Sequence, residues 1–407
     1  MKLAPQQIQA LDMIQAWLSR TDRDCPQVFR LFGYAGTGKT TLAKYIAEGC
    51  REPLFCAFTG KAAYVLRQKG VQAWTIHQLI YSPQERSKKR LQELEGKLAD
   101  AELAEDLELI EQIKIQIKVE HKRLNSPKFA LNPESPIQDA DLVIVDEVSM
   151  VDKQMAEDLM SFGTKVLVLG DPAQLPPVFG QGFFINAKPD FMLTDIHRQA
   201  RDNPIIRLAT DIRNGIYPRL DGKMVICVDD VKADPELVLS QDQVLCGRNA
   251  TRRGINVRIR ELLKRECDLP VEGDRLVCLR NDHDVGLLNG AIWMVESCYD
   301  LSGEDKVDLI LYSEMAAADN ERGSNYVAVE AHKVYFVSEE KVEMPFWIRK
   351  EAQEFDYGYC LTCHKSQGSE WDKVMVFDES EAFGADRFKW LYTAVTRAGR
   401  DLKLVIY

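Results

Sequence analysis

The sequence predicts an α/β protein built on parallel sheets, interrupted by a charged helical segment and by a small all-β unit. Three observations give this class. Short, continuously apolar runs alternate with helical stretches, the pattern of strands covered on both faces. Those runs end in Gly, Asp or Glu, and such sheets place their ligands at the carboxyl ends of the strands. One segment, Glu85 to Leu124, breaks the alternation with 19 charged residues and no proline. The length, 407 residues, suggests two to four domains and is ample for a core that needs no disulfide or metal staple.

The first strand signal, Val28-Phe29-Arg30-Leu31-Phe32, runs directly into Gly33-Tyr34-Ala35-Gly36-Thr37-Gly38-Lys39-Thr40, and a helical run follows from Leu42 to Glu48. This is G-x-x-x-x-G-K-[ST] in its strand–loop–helix setting, a phosphate-binding loop. Its glycines let backbone N–H groups close around phosphates. Lys39 sets a cation against the β- and γ-phosphates, and Thr40 offers a hydroxyl to Mg²⁺. The expected nucleotide-binding set is Gly33, Ala35, Gly36, Thr37, Gly38, Lys39, Thr40 and Thr41.

A second run, Leu142-Val143-Ile144-Val145, ends in Asp146-Glu147. Asp146 is placed to hold the metal with Thr40, and Glu147 to orient and deprotonate the attacking water. Val166-Leu167-Val168-Leu169 ends in Gly170-Asp171, while Val374–Phe377 and Leu402–Ile406 supply strands near the C-terminus. Between Glu85 and Leu124, ten acidic and nine basic residues surround Leu91, Leu94, Leu98, Leu103, Leu107, Ile110, Ile113 and Ile117 at helical spacing. A long helix or helical hairpin bounded by Pro83 and Pro127 is expected, a solvated arm with one apolar seam. From about Val257 to Glu354, turn signals at Gly273-Asp274, Asn289-Gly290 and Ser302-Gly303 separate short strands such as Leu276–Leu279 and Ala291–Val295. These suggest a small β-barrel.

The formal net charge is −11, from 63 acidic and 52 basic residues. That argues against a simple electrostatic nucleic-acid binder but leaves room for a local basic groove. No apolar run reaches the roughly 18 residues of a membrane span. Met1–Gln7 lacks the apolar core of a signal peptide, so a cytoplasmic location is expected. The ten scattered cysteines read as reduced thiols. Cys360-Leu361-Thr362-Cys363-His364 matches the haem-attachment pattern C-x-x-C-H, but no second ligand pair stands nearby, and it is read as coincidence.

Taken in order, the motifs resemble those of superfamily 1 helicases, in the branch of RecD-like and Dda-like enzymes. Leu3-Ala4-Pro5-Gln6-Gln7 is similar to the family's adenine-reading motif, with Gln7 as reader. Ala57-Phe58-Thr59-Gly60-Lys61-Ala62-Ala63 and Ala73-Trp74-Thr75-Ile76-His77 resemble motifs Ia and Ib. Asp146–Met150 resembles motif II, and Gly170–Pro177 motif III, with Gln174 sensing the γ-phosphate. Arg198 stands in motif IV, His364-Lys365-Ser366-Gln367-Gly368-Ser369-Glu370 in motif V and Arg397 in motif VI.

The resemblance implies two RecA-like domains with ATP in the cleft between them. The first comprises 1–81 and 137–196, the second 197–256 and 355–407. The inserts are 82–136, an arm and candidate strand-splitting pin, and 257–354, the barrel. Arg198 and Arg397 would supply cations to the γ-phosphate; Gln367, Gly368 and Glu370 would line the nucleotide. Single-stranded DNA would lie on Phe58, Thr59, Lys61, Thr75 and His77 of the first domain and on Thr362, His364 and Lys365 of the second. Capping or core hydrogen bonding is the alternative role of the Thr and His residues. Phe58 replaces a proline common in motif Ia and either packs the core or stacks on a base.

The activity implied is ATP-dependent, 5′→3′ unwinding of duplex DNA by a monomer using Mg²⁺. Single-stranded DNA and single-strand/duplex junctions are the expected partners, with single-strand-binding, replication and repair proteins behind them. A DNA-stimulated ATPase that remodels protein–nucleic-acid complexes, or serves as a subunit of a larger recombination or nuclease complex, is the alternative.

Overall fold

The computed structural model describes residues 3–83, 93–94, 96–98, 101, 107–125, 129–176, 182–195, 203–282, 285–300, 305–313, 326–338, 342 and 344–407. Helix α1 (Pro5–Ser19) leads into β1 (Val28–Gly33), α2 (Lys39–Ala47), β2 (Pro53–Ala57), α3 (Gly60–Gln68), β3 (Ala73–Thr75) and α4 (Ile76–Ile80). After the insert come β6 (Leu142–Asp146), β7 (Val166–Gly170) and β8 (Phe191–Leu193). Strands β1, β2, β3, β6, β7 and β8 form one six-stranded parallel sheet in the order β3-β2-β6-β7-β1-β8. Its apolar residues divide between two faces. Phe29, Leu31, Ile144 and Leu167 pack under α1, α2 and α3, while Val28, Phe32, Val143 and Val168 pack with α4 and the helix Lys153–Met160. Burial on both faces is why these strands read as unbroken apolar runs.

The insert leaves the first unit through a two-stranded antiparallel stem, β4 (Tyr81–Pro83) with β5 (Phe129–Leu131). Beyond it lies a 19-residue helix, Leu107–Asn125. Among the described side chains of this helix, Ile113 is buried and is flanked by half-buried Ile110 and Ile117, whereas Lys114, Ile115 and Gln116 face solvent. That is a single apolar seam on a charged helix. Leu91 and Leu103 of the expected seam lie outside the described residues.

The second unit contains β9 (Val225–Cys227), β10 (Gln243–Cys246), β16 (Cys360–Thr362), β17 (Trp371–Phe377) and β18 (Ala398–Ile406). They form a five-stranded parallel sheet, β16-β10-β17-β18-β9. Helices Pro204–Arg213 and Arg387–Val395 cover one face. The other face shares its core with the third sheet, made of β11 (Arg275–Cys278), β12 (Ile292–Tyr299), β13 (Lys306–Ser313), β14 (Tyr326–His332) and β15 (Phe355–Tyr357). This sheet is antiparallel, in the order β14-β13-β12-β11-β15.

The expected barrel is here an open sheet, its edges brought together at one bridge, Ala331 with Gln353. The edge strand β15 is three residues long and has little backbone to offer for closure. Strand β15 continues through Gly358 into β16 of the neighbouring sheet, a crossing without room for a side chain. A Cβ on Gly358 would lie 3.0 Å from Ile292 Cδ1 and 3.1 Å from the Leu276 backbone. Cys360 and Cys363 are buried in the core: the Cys360 thiol lies 3.6 Å from Cys246 Sγ, and the Cys363 thiol donates to the Trp390 carbonyl at 3.7 Å.

Candidate nucleotide site and nucleic-acid interface

The strands of the first sheet are parallel, so their carboxyl ends share one edge. The loop after β1, Asp146 at the end of β6, Asp171 after β7, Thr59 after β2 and Thr75 at the end of β3 all lie along it. Gly36 and Gly38 both have φ of 76°, a left-handed conformation that suits glycine. Gly38 is the N-cap of α2, so the loop amides gather at a helix N-terminus, a ready-made anion site. A Cβ on Gly33 would stand 2.7 Å from Thr37 Oγ1 and 2.9 Å from Leu193 Cβ, which fixes glycine at the loop's entry. Thr37 Oγ1 donates to the Tyr34 carbonyl at 2.8 Å. Lys39 Nζ donates to the Gly33 carbonyl at 2.6 Å and the Tyr34 carbonyl at 3.2 Å. Thr41 is exposed.

Gln7 is 1% exposed, with Nε2 donating to the Thr37 carbonyl at 3.2 Å and Oε1 accepting from Ala4 N at 3.0 Å. It braces the loop. Its neighbour Gln6 ties α1 to the end of β8, accepting from Thr194 N and Asp195 N at 2.9 Å each.

Thr40 Oγ1 donates to Asp146 Oδ2 at 2.9 Å. A hydroxyl and a carboxylate side by side beneath a phosphate loop are hard oxygen donors of the kind Mg²⁺ takes. Burial and the adjacent Glu147 raise the Asp146 carboxyl above its ordinary range; Lys39 and Thr40 oppose that rise, and a bound cation would reverse it. Glu147 has φ of 54°, left-handed backbone that a non-glycine residue adopts at a cost, usually at a functional site.

Opposite stand residues of the second unit. A cleft of about 120 Å³ is lined by Thr40, Asp146 and Glu147 on one side and by Ser369, Glu370, Thr396 and Arg397 on the other, with Gly368 at its rim. Arg397 is 6% exposed and is held by the Thr393 and Ser369 carbonyls at 3.1 Å each. Gln367 Nε2 donates to the Leu175 carbonyl at 2.8 Å, while Gln367 Oε1 and Gln174 Oε1 are buried without a hydrogen-bond partner among the described residues. Arg198 lies outside the described residues.

The expected nucleic-acid contacts fall at neighbouring strand ends. Thr59 Oγ1 caps α3 by accepting from Ala62 N at 3.1 Å, and Thr75 Oγ1 caps α4 by accepting from Gln78 N at 3.1 Å. Phe58 is half-buried against the core beneath the sheet. Lys61 reaches across to the other units: Nζ lies 4.5 Å from the Trp371 ring centroid and 3.4 Å from the Gly290 carbonyl. His77 packs 5.3 Å from Tyr81 and His364 packs 5.6 Å from Phe383, and burial lowers both imidazoles below the ordinary 6.5. Burial, with Arg252 nearby, also lowers Lys365. Thr362 is buried at the end of β16.

Sequence reasoning placed Asp171 in motif III but gave no role to it, to Tyr392 or to Thr393. Tyr392 OH accepts from Ala35 N at 2.8 Å and donates to Asp171 Oδ2 at 2.7 Å. Thr393 Oγ1 accepts from Leu175 N at 2.7 Å. A polar residue inside the otherwise apolar stretch Trp390–Val395 of the helix Arg387–Val395 was the available signal. Arg213 stacks on Tyr34 of the phosphate loop at 3.6 Å, a further contact between the units.

Comparison with known proteins agrees with this arrangement. A family model described as "AAA domain" matches residues 3–222, and one described as "UvrD-like helicase C-terminal domain" matches 357–405. The chain is 27% identical over 408 aligned positions to the ATP-dependent RecD2 DNA helicase of Deinococcus radiodurans, covering 90% of this chain and 45% of the relative. It is 29% identical over 194 positions to the ATP-dependent DNA helicase dda of Enterobacteria phage T4, covering 45% of this chain and 37% of the relative. The chain thus spans less than half the length of the curated relatives it matches. The structure of Bacteroides Pif1 bound to single-stranded DNA aligns over all of this chain and 92% of its own, with TM-score 0.54 and 19% identity, a likeness of fold. With an AAA-domain model over residues 3–222, more than half its length, and a UvrD-like helicase C-terminal domain model over residues 357–405, the chain belongs to the superfamily 1 helicases of RecD and Dda type.

Proposed function

We propose that the protein is an ATP-driven motor that moves 5′→3′ along single-stranded DNA and unwinds duplex ahead of it. The observation that carries this reading is the cleft in which Thr40, Asp146 and Glu147 face Ser369 and Arg397. Lys39 neutralises phosphate charge, Glu147 orients and deprotonates water, and Arg397 stabilises charge developing on the γ-phosphate from the other unit. Mg²⁺, held by Thr40 and Asp146, would supply further charge neutralisation. Because the acid and the arginine sit on different units, hydrolysis requires the units to close, and release lets them part.

Single-stranded DNA binds along the strand ends that carry Thr59, Thr75 and His77 and those that carry Thr362, His364 and Lys365. The caps at Thr59 and Thr75 leave the first backbone amides of α3 and α4 at this edge, where phosphates are well received. Contacts to phosphates make binding largely independent of sequence. The relatives named as DNA helicases and the Pif1 chain solved with single-stranded DNA support this reading.

The deciding experiment is ATP-dependent unwinding of partial duplexes carrying either a 5′ or a 3′ tail. Unwinding of the 5′-tailed substrate alone, abolished by Lys39→Ala, is the expected result. Preference for the 3′ tail would overturn the direction. DNA-stimulated hydrolysis without unwinding of either would point to the remodelling role instead.

A further inference from the structure

We propose that Tyr392 is a positioning residue that couples the phosphate loop to the closure of the two α/β units. The inference rests on the ATPase reading given above. Tyr392 belongs to the second unit, on the helix Arg387–Val395, and is 1% exposed. Both partners of its hydroxyl belong to the first unit. The oxygen accepts the N–H of Ala35, inside the phosphate loop, at 2.8 Å, and the proton goes to Asp171 Oδ2 at 2.7 Å. A phenol has one proton, so donating it to the carboxylate leaves the oxygen free to accept the amide.

The surroundings tie this hydroxyl to the nucleotide machinery. Asp171 is buried, its Oδ1 accepts from Ala173 N at 3.0 Å, and its carboxylate feels the charge of Lys39. Four residues beyond Asp171, Leu175 is clasped through its N–H by Thr393 and through its carbonyl by Gln367, both from the second unit. Gln174, between the held points, keeps a buried Oε1 with no hydrogen-bond partner among the described residues. Arg397 follows Tyr392 by five residues and is anchored on the Thr393 carbonyl. One side chain therefore joins the loop, the acid that feels the loop lysine and the turn of chain that delivers the arginine. Removing its hydroxyl keeps the ring packing but strands a half-buried amide and a buried carboxylate oxygen.

The test uses the full chain. Expected for Tyr392→Phe is nucleotide affinity, read with a fluorescent ATP analogue, within about threefold of wild type, and a DNA-stimulated kcat lower by about tenfold to a hundredfold, the range expected for a lost charged hydrogen bond. Asp171→Asn, which removes the charge receiving the proton, should show a loss of the same kind, and the double variant should lose less than the sum of the two. An unchanged kcat in Tyr392→Phe, or a loss confined to KM, overturns the inference. If Tyr392→Phe does not fold, Asp171→Asn carries the same kcat test.

Absence of DNA-stimulated hydrolysis in the wild type would defeat the ATPase reading alone. The coupling is then decided by fluorophores on the two units. A nucleotide-induced change of distance in wild type that is lost in Tyr392→Phe supports it, and an equal change in both overturns it.

Discussion

Glu147 combines strain and chemistry in one residue. Its left-handed backbone is compatible with Asp146 accepting the Glu147 N–H at 2.9 Å, which fixes the direction in which β6 ends. A change of side chain at constant shape isolates the chemistry. Glu147→Gln should bind ATP as wild type does and lose about 10²- to 10⁴-fold in kcat, the usual worth of a general base. Equal hydrolysis rates in the two proteins would remove Glu147 from that role.

A second prediction at this scale concerns His77 and His364, which burial holds neutral. An unfolded imidazole takes up a proton near its ordinary pKa of 6.5, whereas the folded one resists until lower pH. Stability therefore falls as pH drops below about 6.5, since the unfolded chain binds more protons. Denaturant unfolding between pH 7.5 and pH 5.5 should show a smaller loss of stability in a His77→Asn/His364→Asn variant than in wild type, whatever the offset at pH 7.5. Parallel curves would refute it.

The phosphate loop and its acids were legible because each is a fixed local spacing beside an apolar run. Tyr392 was not, because its partners lie 357 and 221 residues away and only the packing of one unit on the other brings them together.

Among the elements, the long strands were readable from their apolar runs, and the structure extends β17 and β18 at their amino ends by a few residues. Among these extra residues Asp372, Lys373, Arg400 and Asp401 are charged and at least partly exposed, which an apolar template overlooks. The stem β4–β5 escaped notice because three residues per strand carry no period. It has a practical consequence: Pro83 and Phe129 are register partners, so the chain can be rejoined there. Replacing residues 84–128 with a short glycine–serine turn should leave DNA-stimulated ATPase within about threefold while duplex unwinding is lost, if the arm holds the strand-splitting element. Undiminished unwinding would place that element elsewhere. The small β unit was legible as strands and turns but not as an open sheet, since closure depends on the lengths of its edge strands.

For the whole molecule, net charge and proposed partner pull in opposite directions: the chain carries −11, yet its proposed substrate is a polyanion. Binding must then depend on few, local cationic and amide contacts. The logarithm of single-strand affinity should fall linearly with the logarithm of salt concentration, with a slope of about −0.7 per phosphate held. Three or four contacts would give a slope between about −2 and −3. A slope near zero would mean that phosphates are not what the strand ends hold.

The two parallel sheets meet in an asymmetric way. Thr40, on the helix that follows the loop after β1, and Asp146 lie at the carboxyl edge of the first sheet, whereas their counterparts Ser369 and Arg397 lie just before the amino ends of β17 and β18. The units are stacked head to tail, and no two-fold axis exchanges them. A molecule joined in this manner has a front and a back. A strand lying across both units meets two unlike surfaces in fixed sequence, so cycles of tightening and loosening cannot be run equally well in reverse. On the proposed reading, the sense of motion is thus a vector inscribed in the stacking itself, before any base has been touched.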